Sequence, residues 1–187
     1  MQRYMIYLKN QSHTPKDATA LLKKARNLVS DSKIIVRDTR VSKRRIEFDT
    51  SIPENYSVEN IIDKLSFISP ISEYEHVVEK HMKKEEAIKY ARALFNDEKY
   101  WGAHEVLESI WKSVQKDEKD LLNGIILIAA AFVHDEKGES DICISILKRA
   151  MNKLSKANGL YFDIDVDKLK DRVLKIIHKG QIERFLI

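Results

Sequence analysis

The spacing of apolar positions changes character once along the chain. Over residues 4–8, Tyr4, Ile6 and Leu8 fall on one face at every second position, the period of a strand. Over 17–29, Ala18, Leu21, Leu22, Ala25, Leu28 and Val29 return at helical spacing, and Thr14-Pro15 ahead of them suits a helix start. Residues 33–37 and 45–49 read as strands, with the polar stretch between them turning a hairpin. Ser57 offers an N-cap for a second amphipathic helix carrying Val58, Ile61, Ile62 and Leu65, and 73–78 supplies a last strand. This order, β-α-β-β-α-β, is that of a ferredoxin-like fold. The fold hosts many unrelated activities, so it says little about function.

Beyond residue 85 the period of two disappears. Residues 85–95 carry Ala87, Ile88, Ala91, Leu94 and Phe95 on one stripe, and 100–114 predicts a further helix. The stretch 120–134 is apolar nearly all round, as in the central helix of a bundle. Helices over 141–157 and 165–177 complete it, with Gly138 and Gly159 placed to end helices. All three prolines precede residue 80 and all five glycines follow it, so the punctuation shifts with the periodicity. The polar stretch 79–85 marks the boundary. The expectation is an α+β chain, with a ferredoxin-like domain over 1–80 and an all-α bundle over 81–187.

With 43% hydrophobic and 33% charged residues among 187, the chain can build a packed core, which excludes a disordered protein. The longest apolar run, 125–133, is far short of the ~20 residues that a membrane span needs, so no membrane partner is expected. The single cysteine, Cys143, excludes an internal disulfide framework and a Cys-based zinc site, and reads as a small hydrophobe on a helix face. The start, Met1-Gln2-Arg3-Tyr4, leads into no small-residue cleavage site. These features point to a reducing, cytoplasmic setting. A net charge of +4, from 33 basic and 29 acidic residues, is too mild to imply nucleic acid by itself. Apolar faces on the outer helices suit a homodimer.

One constellation carries chemistry. In the helix from Tyr100, Ala103, Leu107, Ile110 and Val114 define the core stripe at ~100° per residue. His104 and Trp111 flank that stripe, Glu108 lies just outside them, and Trp101 and Glu105 continue further round. On the apolar helix, Asn123, Leu127, Ala130 and His134 share one stripe. A short link at 116–118 would make the two helices antiparallel neighbours and return His134 beside His104. His104, Glu108 and His134 are then candidate ligands for a divalent metal ion, with Glu105 as general base of a metal-assisted hydrolysis. His-Glu-x-x-Glu is not the His-Glu-x-x-His zinc motif, so the spacing alone does not select a metal. The competing reading is a hydrogen-bonded cluster of His104 and Glu108 that orients Trp101 and Trp111 and fixes helix register, with Asn123 as a hydrogen-bonded helix-start residue. On that reading His104→Ala would cost ~1–3 kcal/mol. The residues favour a binding or assembly module with a structural cluster, and the hydrolase is the alternative. No phosphate loop, nucleophile elbow or dinucleotide fingerprint points to a substrate.

The second half resembles a known family on a distinctive spaced pattern: Phe95-Asn96, Tyr100-Trp101, His104-Glu105, Glu108 and Trp111, then Asn123-Gly124-Ile125-Ile126, Ala129-Ala130-Ala131, His134, Gly138, Ala150 and Leu154. It is similar, over about residues 85–170, to the helical family catalogued as domain of unknown function 309. The resemblance implies a compact helical bundle with the His–Glu cluster at its centre. Members are sometimes labelled metal-dependent hydrolases. Asn123 departs from the pattern, since the family more often carries Gln there, and its shorter reach bears on any direct contact with the site.

The first half offers a rival function. Arg37, Arg40, Lys43, Arg44 and Arg45 cluster around the expected hairpin and could grip the phosphates of RNA, with Tyr4 and Tyr7 as stacking rings. Tyr4 and Tyr7 point to opposite faces, however, and the aromatic-rich RNA-binding strand motif is absent. A charged hairpin is more often a solvated edge, so nucleic acid is not the favoured partner.

Overall fold

The computed structural model describes residues 1–30, 32–78 and 81–187, with Asp117 described for its backbone alone. Glu79 and Lys80, in the expected boundary stretch, lie outside the described residues. By internal packing the chain divides into one unit of Met1–Lys80 with Glu136–Gly138, and a second of His81–Asp135 with Glu139–Ile187.

The first unit contains β1 (Gln2–Lys9), α1 (Ala18–Leu28), β2 (Ile35–Val41), β3 (Arg45–Ile52), α2 (Glu59–Ser66) and β4 (Ile71–His76). The strands form one antiparallel sheet in the order β2-β3-β1-β4. Register follows the apolar alternation: Ile6 faces Phe48 and Leu8 faces Ile46 across β1 and β3. These side chains pack with Leu21 and Ala25 of α1 and with Ile61 and Leu65 of α2 into one buried cluster. Ahead of α1, Pro15–Asp17 makes a 3-10 turn inside a capping box, in which the Asp17 carboxylate accepts from the Thr14 N–H at 2.7 Å and from its hydroxyl at 2.9 Å. Those bonds hold the Asp17 carboxyl below its ordinary value.

Two expectations for this unit are corrected. Residues 38–41 are strand rather than turn, because Arg40 stands directly opposite Glu47 and each neutralises the other inside the sheet. The hairpin turn shrinks to 42–44, where the Ser42 hydroxyl accepts from the Arg44 and Arg45 N–H groups at 3.3 and 3.1 Å. Ser57 does not cap α2. Its hydroxyl donates to the Glu59 carboxylate instead, and Val58 occupies the cap position.

The second unit contains α3 (Lys84–Asn96), α4 (Tyr100–Trp111), α5 (Lys116–Asp135), α6 (Ser140–Lys153), a small hairpin of β5 (Leu160–Tyr161) and β6 (Ile164–Asp165), and α7 (Val166–Lys179). Residues 116–118 are the first turn of α5, not a link, and the connection from α4 falls earlier. α7 starts where expected: the Asp165 carboxylate accepts from the Lys168 N–H at 3.0 Å. Phe95, Tyr100 and Phe132 form an aromatic centre, with ring centroids 4.9 Å apart for Phe95–Tyr100 and 4.8 Å for Tyr100–Phe132. A Cβ on Gly124 would lie 2.5 Å from Leu154 Cγ, so the glycine permits close approach of α5 to the end of α6. Cys143 is buried, and burial pushes its thiol up to about 12, which keeps it an inert packing residue. Among the described residues no helix is long and apolar enough to cross a membrane.

Candidate functional site

α4 buries Tyr100, Ala103, Leu107 and Ile110, which turns His104, Glu105 and Glu108 toward its open side. His104 Nδ1 lies 3.4 Å from Glu105 Oε1 and 3.7 Å from Glu108 Oε2. One ligand atom from each of the three residues lies within 4.8 Å of the others. The group sits at the rim of the bundle: the side chain of His104 is 25% exposed, that of Glu105 46% and that of Glu108 60%. Such a nitrogen and two carboxylate oxygens, gathered from one helical turn, suit a borderline divalent cation with coordination positions left open.

The remaining expected site residues are placed elsewhere. His134, half-buried near the end of α5, has its Nδ1 2.5 Å from Glu139 Oε2, and it stands apart from the group of three. Trp111 donates its indole N–H to the Lys119 carbonyl at 3.2 Å, and the Lys119 ammonium lies 5.2 Å from its ring centroid. This tryptophan is therefore oriented by the start of α5. Trp101 and Asn123 are half-buried, on α4 and α5 respectively. Sequence reasoning missed Glu139, the partner of His134. The signal was an acid just beyond the expected helix-ending Gly138, which does adopt a left-handed φ of 77°.

The basic set does not form one exposed patch. Arg40 is 2% exposed and ion-paired to Glu47 and Asp38, so its guanidinium is not offered to a phosphate. Arg37 donates to the Ser51 hydroxyl at 2.6 Å, and the Arg45 guanidinium lies 5.7 Å from the ring centroid of buried Tyr7. Lys43 and Arg44 are exposed at the turn. One face of Tyr4 stacks on His76, with ring centroids 4.7 Å apart.

Residues 88–146 match the family described as Domain of unknown function (DUF309). The DUF309 region spans most of α3, all of α4 and α5 and the first half of α6, so the His104 group lies within it. No curated protein and no solved structure matches the chain.

Proposed function

We propose that the protein is a binding module whose helical unit holds a divalent cation on α4 through His104, Glu105 and Glu108. The observation that carries this reading is the convergence of the three side chains. Metal–nitrogen and metal–oxygen bonds of ~2.0–2.2 Å put two ligands of one ion at most ~4.4 Å apart. The His104 Nδ1 separations of 3.4 and 3.7 Å fall inside that limit. A bound ion would supply positive charge and open positions that a carboxylate or phosphate of a partner completes.

Binding is favoured over hydrolysis for two reasons. With Glu105 in the ligand group, the carboxylate expected to act as general base is already committed. The group also lies on an open helix face, whereas electrostatic catalysis draws its strength from a water-excluded site. A purely structural cluster is disfavoured too, since ion pairs with carboxylates this exposed contribute little to stability. For the first unit, the strand order β2-β3-β1-β4 with α1 and α2 in the two crossovers supports the ferredoxin-like reading.

Calorimetric titration of tag-free protein with zinc and with manganese tests the proposal. One site per chain is expected for the wild type, with loss of that site in His104→Ala and in Glu108→Gln. Binding that is absent, or equal in wild type and in the triple variant H104A/E105Q/E108Q, would refute it.

A further inference from the structure

Past α7 the chain turns at Gly180, whose φ of 66° lies in the left-handed region that glycine adopts without a Cβ clash. Residues 181–187 then continue without helix or strand and lie along α3, the start of α4 and the end of α5. Three kinds of contact hold the segment. Arg184 donates to Glu98 at 2.8 Å and to Asp135 at 3.4 Å, with its guanidinium 5.9 Å from the Tyr100 ring centroid. The Phe185 ring packs 5.9 Å from Phe95 and 5.5 Å from Phe132. Asn96 accepts from the Ile187 N–H at 2.9 Å and donates to its main-chain oxygen at 3.1 Å, where Arg92 also donates at 2.7 Å.

Each contact reads a different property of an extended peptide. A side-chain amide that bonds both the N–H and the C=O of one residue reads backbone whatever its side chain. Two carboxylates, 17% and 14% exposed, read a guanidinium. An aromatic floor reads a ring. Glu98 is held at a φ of 59°, an uncommon conformation for a residue with a side chain, and its carboxylate is the one closest to Arg184. Leu186, between the two anchored ends, is 75% exposed, so its position carries no selection. All of the groove's contact residues lie within 88–146, the matched family region, whereas their occupant lies outside it.

We infer that this groove is a peptide-binding site for an extended segment of a partner protein with the pattern Arg-aromatic-x-aliphatic, and that residues 181–187 are its resident ligand, released by rotation about Gly180. The inference is independent of any cation on α4, and its test is run with chelator present. The probe is a fluorescein-labelled peptide with the sequence of residues 181–187, followed by anisotropy. In the full chain carrying R184A and F185A, the resident segment loses its guanidinium and ring anchors and keeps only the Ile187 contacts, while the groove's own residues are unchanged. This variant is expected to bind the probe about tenfold more tightly than wild type, because a site mostly occupied in cis shows a reduced apparent affinity. Adding E98Q and D135N, or replacing the probe's Arg with Ala, is expected to reverse the gain, while Ser at the position of Leu186 leaves it unchanged.

A folded R184A/F185A chain that fails to bind, that binds no more tightly than wild type, or that binds a scrambled probe equally well overturns the inference. Should that variant not fold, isotope-labelled wild type with excess unlabelled peptide answers the same question. Displacement is expected to move the Ile187 amide resonance to its unstructured position, and an unmoved resonance overturns the proposal. Wild-type chains that dimerise through 181–187 while excluding the probe would overturn it in favour of exchange between copies.

Discussion

Both faces of β1 and β3 are buried, and with opposite chemistry. Ile6, Leu8, Ile46 and Phe48 fill one face, while Tyr7, Glu47 and Asp49, each 3% exposed, lie on the other. Arg40 meets Glu47 there, and Arg3 donates to Asp49 at 2.9 Å. Burial by itself would weaken Arg40's hold on its proton, but Glu47 and Asp38 more than offset it and the guanidinium stays charged. Burial, reinforced by Glu47, pushes the Tyr7 phenol up, so it stays neutral. In the helical unit the buried positions of α5 are Leu122, Gly124, Ile125, Ile126, Ile128, Ala129, Ala131 and Phe132, and the titratable His104, Glu105 and Glu108 of α4 stay at the rim. The sheet unit thus uses paired charges internally, where desolvation cancels most of the Coulombic gain and the pairing serves register. The helical unit buries chiefly apolar area and keeps His104, Glu105 and Glu108 in reach of water, while its ion pairs of Arg184 with Glu98 and Asp135 are only partly buried.

The largest expected effect probes the buried pair. Arg40→Met leaves the Glu47 carboxylate without its cation and is expected to cost about 3–5 kcal/mol in denaturant unfolding. Arg40→Met with Glu47→Met is expected to recover most of that loss, and a double variant as unstable as the single one would contradict the register role. In the helical unit the comparable probe is steric. Gly124→Ala forces a methyl group against fully buried Leu154 and is expected to cost about 1–3 kcal/mol, read as a lower melting temperature.

At the rim, His104→Ala is expected to change stability by no more than about 0.5 kcal/mol, because its carboxylate partners are already solvated. On the cation-binding proposal, the same variant is also expected to lose the site read by calorimetric titration. A melting temperature reduced in proportion to ~1–3 kcal/mol would restore the structural reading of the cluster. The smallest effect concerns the capping box before α1. The folded-state value of Asp17 is depressed, so its contribution is present above the ordinary value of 3.8 and is lost as the pH falls through the depressed one. Wild type and Asp17→Asn are expected to differ in stability at neutral pH and to converge in acid. A difference that persists below that range would assign the effect to packing.

What was legible in the chain was whatever short-range spacing encodes. The period of two in Tyr4, Ile6 and Leu8 and the helical period in Ala103, Leu107 and Ile110 located β1 and α4, and the left-handed Gly138 fell where a helix end was read. His104, Glu105 and Glu108 were visible as a group because a single helical turn brings them together whatever the rest of the chain does. The end of β2 was not legible: Arg40 is a strand residue only because Glu47 lies opposite, and that pairing belongs to the sheet rather than to either segment.

Residues 181–187 carry no periodicity at all, and nothing local marks Arg184 or Phe185 as part-buried anchors. Spacing along one element was therefore enough to determine the α+β class, the helical second half and the shared face of His104, Glu105 and Glu108 on α4, since backbone geometry alone sets which side chains share a face. It did not determine the inclusion of His134 with them. The burial of Arg40 and the seat of Phe185 were decided only by the tertiary structure. Each depends on a contact whose free energy exists only after distant segments have removed both groups from water.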